Sequence, residues 1–446
     1  MGHMDQKLKA QPQILKGTRD FLPQRMILRQ YVVGALRDTF ERFGFEPLDT
    51  PAIEYAETLE GKFGEEADKL IYKFEDRGGR MVGLRYDLTV PLARVVAMYP
   101  DLVKPFKRYH LAPVWRAEKP QRGRYREFWQ CDVDTVGSAS MMADAEIVHI
   151  TTQALSTLGF SQFKVKINHR KVLAALGEYA GVLVDQSAAV FRALDKLEKV
   201  GVDAVKEELL EVGLHREAVE RLIDLVFLQV EAHAGLDRLR ELLSPFPIGV
   251  EGIDELQQLL GFLEAMGVER SAYEVDLSMV RGLDYYTGPI FETVVQEPKI
   301  GSITGGGRYD KLVGLLGPRD VPATGASFGL ERLIDVIESL SMAPDFIRQT
   351  ITRVLVTVFS PETLAASMHV VNDLRQQGIN TEVYLGTDRL SNQLRYASRK
   401  AIPFVVIVGP DEIARGQVVL RDMTTGEQQS VKTEALAALV ALSGTP

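Results

Sequence analysis

The first strong periodicity lies in residues 26–43, MILRQYVVGALRDTFERF. Leu28, Tyr31, Val32, Leu36, Phe40 and Phe43 recur at helical spacing, and Gly44 is a stop. FEPLDTPAIE follows as extended chain, where Pro47 and Pro51 restrict pairing to an edge or interface strand. LRYDLTVPLARVVAMYP (84–100) opens with alternation that predicts a strand. Leu84, Tyr86 and Leu88 point one way, and Arg85, Asp87 and Thr89 the other. RYHLAPVWRAE and RYREFWQCDVDTVG then flank the turn signal KPQRG, which predicts a long antiparallel hairpin. On its second strand Arg124, Arg126, Phe128, Gln130, Asp132 and Asp134 share one face, and Trp129, Cys131 and Val133 the other.

From about 141 the period turns helical, with a short strand at 163–168. Residues 170–270 are charged and helix-rich. Strand patterns resume at YEVDLSMVRGLDYYTGPIFETVVQ, so the stretch between reads as a helical insertion. GSITGGGRYDKLVGLLG and ATGASFGLERLIDVIESL each read as a glycine-rich turn running into a helix, a place where backbone N–H groups approach a ligand. Neither carries the GK[ST] of a P-loop or a GxGxxG in a βαβ unit. SMAPDFIRQT (341–350) reads as a linker. Beyond it strands and helices alternate, as in a small separate α/β domain. The expected division is 1–340, a linker at 341–352, and 353–446.

A chain of 446 residues exceeds one core of ordinary size and agrees with two or three domains. With 46% hydrophobic and 25% charged residues it is an ordinary globular composition. No apolar run approaches the ~20 residues that span a bilayer. The leading Met-Gly-His-Met looks like an expression scar, and no signal-peptide core follows it. Cys131 is the only cysteine, which excludes an intrachain disulfide and suits a reducing cytoplasm. The seven histidines are scattered without HExxH, so no protein-caged metal is expected.

The net charge of −9 argues against indiscriminate nucleic-acid binding but leaves room for a local basic groove. Lys104, Lys107, Arg108, Arg116, Lys119, Arg122, Arg124 and Arg126 crowd one segment against a single acid, Glu118. Such a run is commonly a solvated face, but this one is interleaved with aromatics and runs into an apolar stretch.

Three polar constellations need a purpose. Asp87 and Thr89 suit an ammonium group. Arg116, Glu118, Arg124, Phe128, Gln130 and Asp134 combine cations, an amide, carboxylates and a ring able to stack on a base. RGLDYYTG sets Arg281 beside Tyr285 and Tyr286. Together they suit a zwitterionic amino acid beside a polyphosphate nucleotide. No Ser/His/Asp or Cys/His nucleophile arrangement is apparent, which points to catalysis by positioning and charge stabilisation.

These residues also carry a resemblance. WRAEKPQRGRYREFWQCDVD resembles motif 2 of class II aminoacyl-tRNA synthetases, GASFGLERL resembles motif 3, and the first helix with Pro51 resembles motif 1. RGLDYYTG and TGGGRYD are similar to the two peptides specific to the histidyl-tRNA synthetase family.

The resemblance covers nearly the whole chain. It implies an α+β catalytic domain on an antiparallel sheet with a helical insertion, followed by an α/β anticodon-binding domain. It implies that histidine is activated with ATP and passed to the 3′ end of tRNA-His. Arg281 and Arg116 would be catalytic, on the histidine carboxylate and the α-phosphate. Asp87, Thr89 and Gln130 would receive the ammonium, and Asp134 with Tyr286 the imidazole, beside Tyr285. Glu118 and Phe128 would hold adenine, and Arg124 and Arg332 the phosphates. Lys119, Gln121 and Arg122 would meet the tRNA acceptor end. Mg²⁺ would come with ATP, motif 1 implies a homodimer, and the cytoplasm is the expected location.

Aspartate at 87 and 134 looks closer to the archaeal and eukaryotic pattern than to the glutamates of many bacterial members. A catalytically silent, histidine-sensing regulatory paralogue of ATP-phosphoribosyltransferase is the alternative. Such proteins usually lose the second peptide's arginine and the C-terminal domain.

Overall fold

The computed structural model describes residues 12–62, 68–120, 123–183, 186–228, 230, 232–280, 285–344, 347 and 349–442. They form two compact units, one of 12–20 with 32–342, the other of 21–31 with 343–442. Among them no helix is long and apolar enough to cross a membrane.

The strands of the larger unit are, in chain order, β1 Glu46–Pro47, β2 Ile53–Tyr55, β3 Lys73–Glu75, β4 Met81–Leu84, β5 Phe106–Trp115, β6 Glu127–Val136, β7 Phe163–His169, β8 Tyr273–Val275, β9 Pro289–Val295, β10 Thr304–Arg308 and β11 Ala323–Gly329. Eight of them form one sheet in the order β1-β5-β6-β11-β10-β9-β7-β8, and β2-β4-β3 form a smaller one. The large sheet is antiparallel through its middle, with parallel pairs only at its edges, β1 on β5 and β7 on β8.

The predicted hairpin is its backbone. β5 and β6 stay in register from Phe106 opposite Val136 to Trp115 opposite Glu127. Cys131 and Val133 are fully buried, so period-two alternation fixes one face of β6 to the core and frees the other for the site. The long first helix, Pro23–Arg42, buries Val32, Leu36 and Phe40 at i, i+4 and i+8. Phe40 packs against Phe328 with ring centroids 5.5 Å apart.

Helices Arg170–Ala180, Ser187–Leu194, Val202–Glu211, Arg216–Val226, Ala232–Leu242 and Pro247–Ala265 fill the region read as an insertion. The first four share a core of Leu173, Val190, Phe191, Leu209 and Leu222 that takes in Met279, Val280 and Ile290, with Tyr286 packed against it.

Two sequence readings are corrected. Residues 84–89 are not a strand. β4 ends at Leu84, and a helix starts at Thr89 and runs to Met98. Arg85, Tyr86, Asp87 and Leu88 are all buried, so the alternation of polar and apolar residues there was not a division between water and core. Pro91 fits in the first turn of that helix, where its missing N–H is no loss. The glycine-rich TGGGR and ATGASFG are likewise not turns but the paired central strands β10 and β11, with a helix only after Gly329. Their glycines serve close packing. A β-carbon on Gly306 would overlap the carbonyl oxygen of Gly325, and one on Gly307 would sit 2.6 Å from the carbonyl oxygen of Pro289.

The smaller unit carries β12 Val354–Val356, β13 Thr381–Val383, β14 Phe404–Ile407, β15 Gln417–Asp422 and β16 Gln428–Lys432, in the order β13-β12-β14-β15-β16. The first three are parallel and the last two antiparallel additions. The sequence pattern missed β16, an edge strand whose side chains are exposed except Val431. Without a buried face there is no alternation to read.

Candidate active site

β6 carries the site. Phe128, Gln130, Asp132 and Asp134 project from its free face into two adjoining cavities. The smaller, about 280 Å³, is lined by Asp87, Thr89, Asp132, Asp134 and Tyr309 over a glycine floor from β10 and β11. The larger, about 430 Å³, is lined by Glu118, Arg124, Phe128, Glu331 and Arg332. Arg116, Gln130, Tyr285, Tyr286, Gly305 and Ser327 line both. One cavity is thus dominated by carboxylates and the other by arginines and an aromatic ring. They meet at Arg116.

In the smaller cavity Asp134 is held on two sides. Arg108, fully buried on the facing strand, lies 2.8 Å from its Oδ2, and the Tyr309 hydroxyl donates to its Oδ1. Burial still raises the Asp134 pKa, against the pull of Arg108. Arg108 also donates to the Leu88 carbonyl at 3.1 Å, tying the loop before helix Thr89–Met98 to the hairpin. Asp87 sits in that loop. Its Oδ1 accepts the Val90 N–H at 3.2 Å, satisfying one orphan donor of the helix start, while burial pushes its pKa up to about 6. Gln130 donates to the Ser327 hydroxyl at 2.8 Å. Tyr285 and Tyr286 stack with centroids 4.2 Å apart, and burial drives the Tyr285 hydroxyl pKa up.

In the larger cavity the Arg116 guanidinium lies 5.0 Å from the Phe128 ring centroid, and its Nε donates to the Tyr86 carbonyl at 2.9 Å. Arg124 pairs with Glu118 at 3.8 Å. Arg332 donates to the Ser302 carbonyl. Glu331, from the helix Leu330–Ser339, accepts the Trp129 backbone N–H at 3.1 Å and so pins that helix to β6.

Of the residues named from sequence, Asp87, Thr89, Arg116, Glu118, Arg124, Phe128, Gln130, Asp134, Tyr285, Tyr286 and Arg332 come together here. Lys119 is exposed at the hairpin tip and lines neither cavity. Arg281, Gln121 and Arg122 lie outside the described residues. Sequence reasoning passed over Arg108, Tyr309 and Ser327. Arg108 had a signal: with the hairpin in register it falls directly opposite Asp134. Ser327 had none, because its contact depends on β11 lying beside β6.

Residues 17–333 match the sequence model described as histidyl-tRNA synthetase. The chain belongs to the histidyl-tRNA synthetase family. Residues 353–441 match an anticodon binding domain. A Gloeobacter violaceus protein named histidine–tRNA ligase is 43% identical over 95% of this chain and 97% of its own length. An Aeropyrum pernix protein of the same name is also 43% identical, over 95% and 96%. The crystal structure of histidyl-tRNA synthetase from Nostoc superposes with a TM-score of 0.87 at 31% identity, covering 98% of this chain and all of that one. A Bacillus halodurans structure described as an ATP phosphoribosyltransferase regulatory subunit/histidyl-tRNA synthetase shares the fold, with a TM-score of 0.75 at 24% identity over 89% of this chain and 99% of that one.

Proposed function

We propose that this chain is a histidine–tRNA ligase. It joins histidine to ATP as histidyl-adenylate with release of pyrophosphate, then passes the histidyl group to the terminal adenosine of tRNA-His. The observation that carries this reading is the pair of adjoining cavities. A carboxylate-rich one fits the ammonium group of a small amino acid, an arginine-lined one with a stacking ring fits a nucleotide, and Arg116 reaches both.

The roles follow from the chemistry. The histidine carboxylate attacks the α-phosphorus, and negative charge grows on the phosphate oxygens as pyrophosphate leaves. Arg116 and Arg281 would stabilise that charge. Asp87, Thr89 and Gln130 would hold the ammonium. Asp134, with Tyr286, would meet the ring. Phe128 would stack on adenine, Glu118 would take its amino group, and Arg124 and Arg332 would hold the outer phosphates. Magnesium would arrive with the triphosphate and be bound mainly by its oxygens. Glu118 and Glu331 are carboxylates in that cavity.

Lys119, Gln121 and Arg122 would meet the acceptor end of the tRNA, and the unit beyond the linker at 341–352 would read the anticodon. Ile53, Tyr55, Phe74 and Met81, exposed on the β2-β4-β3 sheet, favour contact with a second copy. The place of action would be the cytoplasm. The match to an anticodon-binding domain weighs against a silent regulatory paralogue.

The deciding experiment is exchange of labelled pyrophosphate into ATP. Exchange dependent on histidine and on no other amino acid is expected, with charging of tRNA-His. Histidine binding without exchange would favour the regulatory reading.

A further inference from the structure

Among the described residues, two acceptor atoms in the smaller cavity have no protein partner. Oδ1 of Asp132 and Oε1 of Gln130 are both buried and unpaired. Both side chains lie on the cavity face of β6, two residues apart. The Gln130 amide is oriented by its bond to Ser327, which uses the nitrogen and leaves the oxygen. Buried acceptors without donors are unfavourable, and a ligand that brings donors relieves them.

The charged and polar groups around Asp132 come from several elements. Asp134 stands on its own strand, Arg108 and His110 on β5, Asp87 in the loop before helix Thr89–Met98, and Ser327 on β11. Burial pushes the His110 pKa down to about 3, so it is neutral. Arg108 is engaged with Asp134, and Arg116 faces Asp87. Among the described residues two guanidinium groups thus face three carboxylates.

We propose that Asp132 is a binding residue for the amino-acid substrate, seating its α-ammonium group jointly with Oε1 of Gln130. The assignment rests on the histidine-activating reading above. An ammonium offers three donors and no acceptor, which matches two acceptor-only atoms. A neutral imidazole offers one donor and one acceptor and would leave one of the two atoms unmatched. Asp134, already engaged by Tyr309 and Arg108, remains for the ring. Burial pushes the Asp132 pKa up to about 7, so near neutrality the empty pocket holds a partly protonated carboxyl. The arriving ammonium favours the ionised form and displaces that proton.

The test is calorimetry of histidine binding at pH 6.5 in two buffers of different ionisation enthalpy, with wild type and Asp132→Asn. Imidazolepropionate, which lacks the ammonium, serves as the second ligand. Asparagine is nearly isosteric with the protonated acid, and thermal melting checks that the fold persists. The expected result is a loss of histidine affinity of about tenfold or more, loss of the released proton, and unchanged affinity for imidazolepropionate. Equal losses for both ligands would assign Asp132 to the ring or to structure and overturn the proposal. A variant indistinguishable from an active wild type overturns this assignment alone. A wild type that neither binds histidine nor exchanges pyrophosphate overturns the enzymatic reading and this assignment with it.

Discussion

The Asp134 carboxylate occupies the space that a β-carbon on Gly325 would need. The two residues are register partners on β6 and β11. The same added carbon would come within 2.7 Å of the Val133 carbonyl oxygen, which cannot yield without moving a central strand, so the carboxylate must turn aside. Gly325→Ala should therefore displace Asp134 from the cavity. The expected outcome is a KM for histidine raised tenfold or more and a loss of about 1–3 kcal/mol in stability. Steady-state exchange kinetics with chemical denaturation check both. Wild-type values would mean the carboxylate has room to shift.

Tyr309 keeps Asp134 ionisable. Its hydroxyl donates to a carboxylate that burial drives toward the protonated form, and that bond lowers the Asp134 pKa. Tyr309→Phe removes the donor, so the Asp134 pKa rises further. The acid limb of histidine-dependent activity should then move to higher pH, with histidine affinity at neutral pH down by about 1–3 kcal/mol. A pH profile of kcat/KM for histidine in the variant decides it. An unmoved acid limb would remove Asp134 from the titrating groups.

Much of this site was legible in the sequence because it sits on a hairpin. Alternation along 124–134 put Phe128, Gln130, Asp132 and Asp134 on one face, and the turn signal fixed the pairing partner. Asp87 was found for the wrong reason. It was read as one face of a strand, whereas it holds the start of a helix from a buried loop. The glycine segments misled because backbone freedom and close strand approach use the same residue. Only the neighbouring strand shows which applies. Ser327 and Tyr309 lie inside the quoted GASFGLERL and TGGGRYD segments, but their contacts with Gln130 and Asp134 became visible only when the order β6-β11-β10 was known, since no local pattern encodes which strands lie side by side.

Asp132 links the cavity to stability. Its pKa is near 4 when unfolded and about 7 in the fold, raised chiefly by burial. A group raised on folding contributes stability that is fully present below the unfolded pKa and lost as pH climbs through the folded one. Asp132→Asn cannot ionise and does not incur that loss. Relative to wild type it should gain stability between pH 4 and 7, on the order of a few kcal/mol at the top of the window. Parallel melting curves across that range give the difference, and a difference independent of pH would contradict the assigned titration.

The two cavities also predict separable kinetics. Phe128 lines the larger one only, with the Arg116 guanidinium against it. Phe128→Ala should remove a stacking surface of about 1–3 kcal/mol for a base. KM for ATP is expected to rise about tenfold or more while KM for histidine stays within about twofold. Equal changes in both constants would indicate that the ring supports Arg116 rather than the nucleotide.

Arg281 is the group on which the proposed chemistry leans most. The residues on either side of 281–284 are well anchored: Met279 and Val280 are buried in the helical core, and Tyr285 and Tyr286 line both cavities. A guanidinium at 281 could span the histidine carboxylate and the α-phosphate with separate N–H groups, where an ammonium offers one point charge. Arg281→Ala should cut histidine-dependent pyrophosphate exchange by about 10²–10³, the usual cost of losing one preorganised stabiliser of developing charge. Melting temperature should be unchanged if the side chain serves the ligands as proposed. Arg281→Lys should recover little of the rate, because charge alone is not the requirement. Exchange near the wild-type rate in the alanine variant, with tRNA charging intact, would transfer the stabilising role to Arg116 alone.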